Sequence, residues 1–210
     1  GFIDTTGKVV LLDEEQTDIV GFGYSNNLRP IAAPRGIRFV DKTNREIFEV
    51  PYFDGNEFSE GLMTVYDYGK AGVINKKGEV VIPFQYEDVE PFYNGLAIAR
   101  NKEGEGVIDR TGKVVLPCQY KDVGLFDDGL AIVRAPEGVG VIDRSGKVII
   151  PLIHERVYYQ HRMGTFIARK NDKVAMFNKA GMNLTQYIYS QEKYRFDQIE
   201  EGFLPVQLRD

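Results

Sequence analysis

The chain has 210 residues, 43% of them hydrophobic and 27% charged, which is the balance of a folded globular protein. No apolar run approaches the roughly 20 residues that a bilayer-crossing helix needs, so no transmembrane segment is expected. The formal net charge is −5, with no block of lysine or arginine, so no nucleic-acid partner is expected. A single cysteine, Cys118, excludes an intrachain disulfide framework and any multi-cysteine metal site.

The chain opens on Gly1 rather than methionine and enters at once into FIDTTGKVVLL at 2–12, which echoes VIDRTGKVVLP at 107–117. Such a start is expected where a leader has been removed or a longer chain has been cut. The polar stretch 13–26 breaks the pattern and is read as an irregular connection. The next stretch gains its register from spacing. Asn27, Asp41, Asn44, Tyr52 and Phe58 each lie 34 residues before Gly61, Asn75, Gly78, Tyr86 and Phe92. Three clear copies follow at Gly61, Gly95 and Gly129, where 95 − 61 = 34 and 129 − 95 = 34. A fourth similar copy starts at Gly164, and Gly202 opens a fragment. The chain therefore divides into a partial unit 1–12, units 27–60, 61–94, 95–128, 129–163 and 164–201, and a partial unit 202–210. This is a single repeat array, because periods of this length mean stacked supersecondary units.

Each unit contains three strand signals. The first is short and alternating, as in Leu96 to Arg100. The second runs Gly106 to Asp109. An Asp or Asn followed three residues later by Gly then turns the chain: the Asx side chain can close on the backbone two residues on, and glycine accepts positive φ. The third strand, VVLP or VIIP, is expected to stop at its proline. The link after it places Tyr120, Val123 and Phe126 three residues apart, which fits a helical turn or an irregular segment folded under the hairpins. The fold class is all-β: tandem repeats of about 34 residues, each a three-stranded antiparallel β-meander, stacked as an open or superhelical array. The alternative is a closed propeller-like ring in which strands from the two ends complete one unit.

The pattern G-L-A-x-V…G-x-I-D-x-x-G-K-x-V-I-P-x-x-Y-x-D-V-x-x-F resembles the WG-containing (KWG) repeat family of bacterial proteins, clearly over 27–162 and as fragments at 2–12 and 164–208. One departure stands out. The chain has no tryptophan, and Ala71, Glu105 and Val139 occupy the place before Gly72, Gly106 and Gly140. The resemblance implies tandem arrays without assigned enzymatic chemistry, hence a binding or scaffold role.

Two groups of residues are candidates for binding. Arg100, Arg134 and Arg169 recur at one position of the first strand, and a row of guanidinium groups suits carboxylate or phosphate. Ion pairs with nearby acidic residues are the competing reading. The link of the copy starting at Gly129 departs most from its siblings: His154 replaces Tyr86 and Tyr120, Arg156 replaces Asp88 and Asp122, and Tyr158, Tyr159, His161 and Arg162 crowd where Phe126 stood. Aromatic and cationic groups are enriched at interaction hot spots; erosion near an array end would also produce divergence. The two histidines make no metal site, no cofactor is indicated, and the repeated acids Asp41, Asp109 and Asp143 are read as turn-closing. No nucleophile-base arrangement is evident. The expected function is a non-enzymatic scaffold for a protein or peptide partner, with a carbohydrate or cell-envelope binding module as the alternative and a hydrolase with carboxylates from different repeats behind it. The compartment stays open.

Overall fold

The computed structural model describes residues 2–3, 9–11, 27–185 and 188–189, with side chains over 27–185. The irregular segment 13–26 and the strand expected after Gly202 lie outside the described residues, and with them the pairing that would close a ring. No helix occurs among the described residues, so none is long and apolar enough to cross a membrane.

Phe2–Ile3 (β1) and Val9–Leu11 (β2) form an antiparallel pair. The unit starting at Asn27 gives a three-stranded meander of Arg29–Ala33 (β3), Gly36–Val40 (β4) and Glu46–Val50 (β5). The next sheet has four strands in the order Asp54–Gly55 (β6), Leu62–Asp67 (β7), Lys70–Asn75 (β8) and Val80–Tyr86 (β9). The following repeat supplies Asp88–Val89 (β10), Leu96–Asn101 (β11), Gly104–Asp109 (β12) and Val114–Tyr120 (β13). Two more four-stranded meanders follow. One consists of Asp122–Val123 (β14), Leu130–Ala135 (β15), Gly138–Asp143 (β16) and Val148–His154 (β17). The other consists of Arg156–Gln160 (β18), Thr165–Lys170 (β19), Lys173–Asn178 (β20) and Ile188–Tyr189 (β21).

The three expected strands of each repeat are present, and the link changes role. Rather than a helical turn, its Asp-Val pair is a two-residue strand on the edge of the following sheet, with Asp88 opposite Arg100 and Val89 opposite Ala99. Each four-stranded sheet thus takes its first strand from the preceding repeat. Tyr120, Val123 and Phe126 are all buried, as their spacing anticipated.

The proline does not end the third strand. β9 runs past Pro83 to Tyr86, and the register shows how: Val73 faces Ile82 and Ala71 faces Tyr86, so three residues stand opposite Gly72 alone. A bulge on the last strand of a sheet leaves no ladder bond for the proline to break. The same bulge sets Pro151, Leu152 and Ile153 opposite Gly140. A Cβ on Gly140 would lie 2.4 Å from the carbonyl oxygen of Ile150, and one on Gly106 would lie 2.5 Å from that of Leu116, so only glycine fits there.

The turns follow the sequence reading. Asp109 Oδ1 accepts the Thr111 amide at 2.8 Å, the Thr111 hydroxyl at 2.7 Å and the Lys113 amide at 3.0 Å. Asp41, Asp143, Asn75 and Asn178 close equivalent turns. Asn44 carries φ of +63°, as expected of the residue that replaces glycine.

The chain forms two compact units, 1–102 with 107–114, and 103–106 with 115–210. In the first, Leu28, Ile37, Phe39, Val50, Phe58, Met63, Val65 and Ile74 make one core cluster joining consecutive sheets. Phe39 stacks on Phe48 at 4.6 Å and meets Phe58 edge-on at 5.5 Å. Each such side chain contributes about 1.5–3 kcal/mol on burial. Between sheets, Glu60 acts as a clasp, its carboxylate accepting the Gly95 amide at 3.0 Å and its carbonyl accepting Arg110 Nη2 at 2.6 Å. In the second unit the core holds Val139, Val141, Ile150, Val157, Phe166, Ala168, Ala175 and Phe177. Asp128, aligned with Glu60, pairs with Lys179, aligned with Arg110.

Candidate functional site

The two candidate groups meet on β18. In the other four-stranded sheets the edge strand is a two-residue Asp-Gly or Asp-Val segment, whereas β18 extends over five residues and pairs from Arg156↔Arg169 to Gln160↔Thr165. Alternation along it sends Val157 into the core and exposes Arg156 and Tyr158.

Within the second unit, Arg156 and Tyr158 line a cleft of about 380 Å³ together with Asp122, Arg134, Ile132, Val133, Val139 and Val157. Two members of the arginine row separate here. Arg134 enters the cleft, whereas Arg169 is held outside it by Asp172 at 2.6 Å and Glu155 at 3.7 Å, contacts that push its pKa above the usual arginine value. Arg156 Nη1 donates to the Tyr158 hydroxyl at 3.1 Å. Among the described residues no carboxylate comes within ion-pair distance of Arg134 or Arg156. The third row member, Arg100 in the first unit, pairs with Asp88 of its own sheet at 2.9 Å.

The first unit contains the filled counterpart of this arrangement. Asp88 Oδ1 accepts the hydroxyl of Tyr66, which occupies the row position of the preceding repeat, at 2.6 Å, while its Oδ2 receives Arg100. Burial first, and then the Asp88 carboxylate, push the Tyr66 phenol up to about 12. In the second unit the residue aligned with Asp88 is Arg156.

A smaller hollow of about 220 Å³ gathers Tyr159, His161, Phe166, Leu125, Asp127, Ile132 and Lys179. Tyr159 packs against Phe166 and His161, each at 4.8 Å between ring centroids, and Lys179 Nζ lies 5.3 Å from the Tyr159 centroid. Arg162 is exposed in the turn before β19 and lines neither hollow.

His154 is placed elsewhere. It is 1% exposed and takes the core position of Tyr86 and Tyr120, with Nδ1 2.9 Å from the Pro151 carbonyl and 3.2 Å from that of Val139. Two carbonyl acceptors mean that Nδ1 carries the proton. Burial holds its pKa below the ordinary histidine value. His154 is a packing residue facing Phe177, not part of a binding surface.

The sequence reading missed Asp122 as a wall of the cleft and Lys179 as a wall of the hollow. The 34-residue spacing aligns Asp122 with Asp88, and it could have shown that the cleft combines one repeat's Asp with the next repeat's Arg. Among the described residues no group of three or more His, Cys, Asp or Glu side chains is placed to hold a metal ion.

The WG containing repeat matches this chain at residues 72–104, 106–135 and 140–173. No curated protein matches it. Among solved structures it is similar to a eukaryotic initiation factor at 12% identity and TM-score 0.50, over 88% of this chain and 57% of that one. It is also similar to the Neurospora crassa Pan2 WD40 domain at 16% identity and TM-score 0.39, over 82% of this chain and 65% of that one. A third is Kluyveromyces lactis Hsv2 at 9% identity and TM-score 0.42, over 76% of this chain and 59% of that one. The chain spans less than two thirds of the length of each. The likeness to the initiation factor concerns the β-rich fold alone. The matched repeats begin at Gly72, Gly106 and Gly140, the glycines lying under the third-strand bulge, and the chain thus carries three tandem WG-containing repeats that keep that glycine without its tryptophan.

Proposed function

We propose that this chain is a non-enzymatic repeat scaffold that binds a protein or peptide through the surface around β18. The observation that carries the reading is the change in the edge strand. Where sibling repeats spend two residues closing the sheet, this one spends five and presents Arg156 and Tyr158 beside a cleft. An arginine and a tyrosine on a rigid strand are the residue types that dominate interface energetics, because they offer large contact area with few degrees of freedom to lose. The ladder beneath them is fixed by five register pairs with β19, so the surface is held in shape before a partner arrives.

A selection from a displayed library of random linear peptides tests this. The expected result is a family of related peptides that bind the intact chain and lose affinity when Tyr158→Ala is introduced. Failure to enrich any binder, or binders indifferent to every substitution on β18, overturns the reading.

A further inference from the structure

We infer that the cleft lined by Arg134 and Arg156 receives an acidic side chain of a bound peptide, seated between the two guanidinium groups with the Tyr158 hydroxyl at its rim. This rests on the peptide-binding reading above and names the chemistry of its ligand.

The protein itself shows what the position takes. At Asp88 one carboxylate answers two donors at once, the Tyr66 hydroxyl at 2.6 Å and Arg100 Nη2 at 2.9 Å. One donor comes from the same sheet and the other from the preceding one. In the cleft the donor of the preceding sheet is Arg134, the carboxylate position is filled by Arg156, and the resident acid is Asp122 alone. Two guanidinium groups and one carboxylate leave one positive charge uncompensated. The nearest acids on the other side, Glu155 and Asp172, are committed to Arg169. This commitment also explains how Arg156 and Arg169 tolerate standing directly opposite each other in the register, where like charges repel.

An incoming carboxylate supplies the group that the reversal from Asp to Arg removed. Guanidinium and carboxylate match as a planar fork, and charge-assisted bonds of this kind are about twice as strong as neutral ones. Beneath them Val133, Val139 and Val157 are buried, so the strands that carry the two arginines are held in place by the core. Asp122 opposes a fully anionic ligand, so a single carboxylate suits the cleft better than a doubly charged phosphate.

The test is a titration of the intact chain with N-acetyl-glutamate N-methylamide, followed by NMR at the arginine Nε–H groups and the Tyr158 ring. The glutamine analogue and inorganic phosphate serve as parallel probes. Saturable shifts with the glutamate probe, absent with glutamine and weakened at least about tenfold by Arg156→Asp, support the proposal. That variant restores the residue found in three sibling repeats, Asp54, Asp88 and Asp122, so its fold is expected to hold, and an unchanged melting temperature checks this. Equal shifts from glutamate and glutamine, tighter binding of phosphate at the same residues, or an Arg156→Asp variant that still responds to glutamate would overturn it. Peptides selected by display that bind without any acidic residue would also sink the carboxylate assignment while leaving the scaffold reading standing.

Discussion

Asp88 and Arg100 face each other across β10 and β11, and the carboxylate that Arg100 holds at 2.9 Å also anchors Tyr66 from the neighbouring sheet. Asp122 and Arg134 occupy the same register pair without such a contact. Identical backbone positions therefore carry a closed network in one repeat and an exposed cleft in another.

Substitution at the two acids should separate these states. Asp88→Asn loses a charge-assisted bond to a partly buried phenol and is expected to cost about 1.5–3 kcal/mol. Asp122→Asn is expected to stay within about 0.5 kcal/mol of the parent. Urea denaturation of the two variants checks the contrast, and equal losses would show that the Tyr66 contact contributes little.

The glycine beneath the bulge is expected to be intolerant. Gly140→Ala places a methyl 2.4 Å from the Ile150 carbonyl oxygen and 2.7 Å from that of Pro151, so backbone must move, at a cost of about 2 kcal/mol or more. Gly129→Ala meets no atom within 4 Å and carries only the penalty of its φ of +79°, about 1 kcal/mol. Denaturant midpoints that rank the two the other way would contradict the bulge as the cause.

His154 should make stability depend on pH. Its folded pKa lies below the ordinary value, so the unfolded chain binds the proton more readily. The contribution is fully present above about pH 6.5 and is lost as pH falls through the folded pKa. His154→Tyr, which restores the sibling residue, is expected to flatten thermal stability between about pH 7 and 5. A slope that survives His154→Tyr would assign it to other groups.

The turn acids behave in the acid range. The Ser145 hydroxyl and the backbone amides of Ser145 and Lys147 hold the Asp143 carboxyl below its usual range. Its stabilisation is present above about pH 4 and fades as pH falls through the folded value. Asp143→Asn should be close to neutral at pH 7, since Asn75 and Asn178 close the same turn elsewhere, while Asp143→Ala, which removes the acceptor, should destabilise. Thermal melts of both variants at pH 7 and pH 3 provide the measurement.

The turns were legible in the sequence because an Asx side chain and a glycine three residues later do their work locally, within one loop. The edge strands were not, since Asp88–Val89 is too short to show a period and its partner lies across a connection. Pro83 misled because a proline within a strand is forbidden only where its amide would face a ladder, and the bulge removes that demand. His154 looked functional by residue type, whereas its 34-residue alignment with Tyr86 and Tyr120 already gave it a core address. Arg156 was visible as a charge reversal. Arg134, one of the repeated arginines, was visible too, but that it shares a cleft with Arg156 became visible only once adjacent sheets were packed.

Because each sheet borrows its opening strand from the repeat before it, the sequence unit and the folding unit are out of phase. A segment cut from glycine to glycine, such as 95–128, carries away an edge strand that belongs to the next sheet and leaves its own behind. Shifting the cut upstream, so that it begins at Glu87 and ends at Tyr120, encloses one complete meander in the same 34 positions. Gene duplication is blind to this choice: inserting 34 residues in any frame into the interior of the array regenerates every junction, because the donor of each borrowed strand is always the neighbour just created. The overlap that spoils an excised module is thus what lets the array lengthen or shorten by whole repeats without a new interface having to evolve.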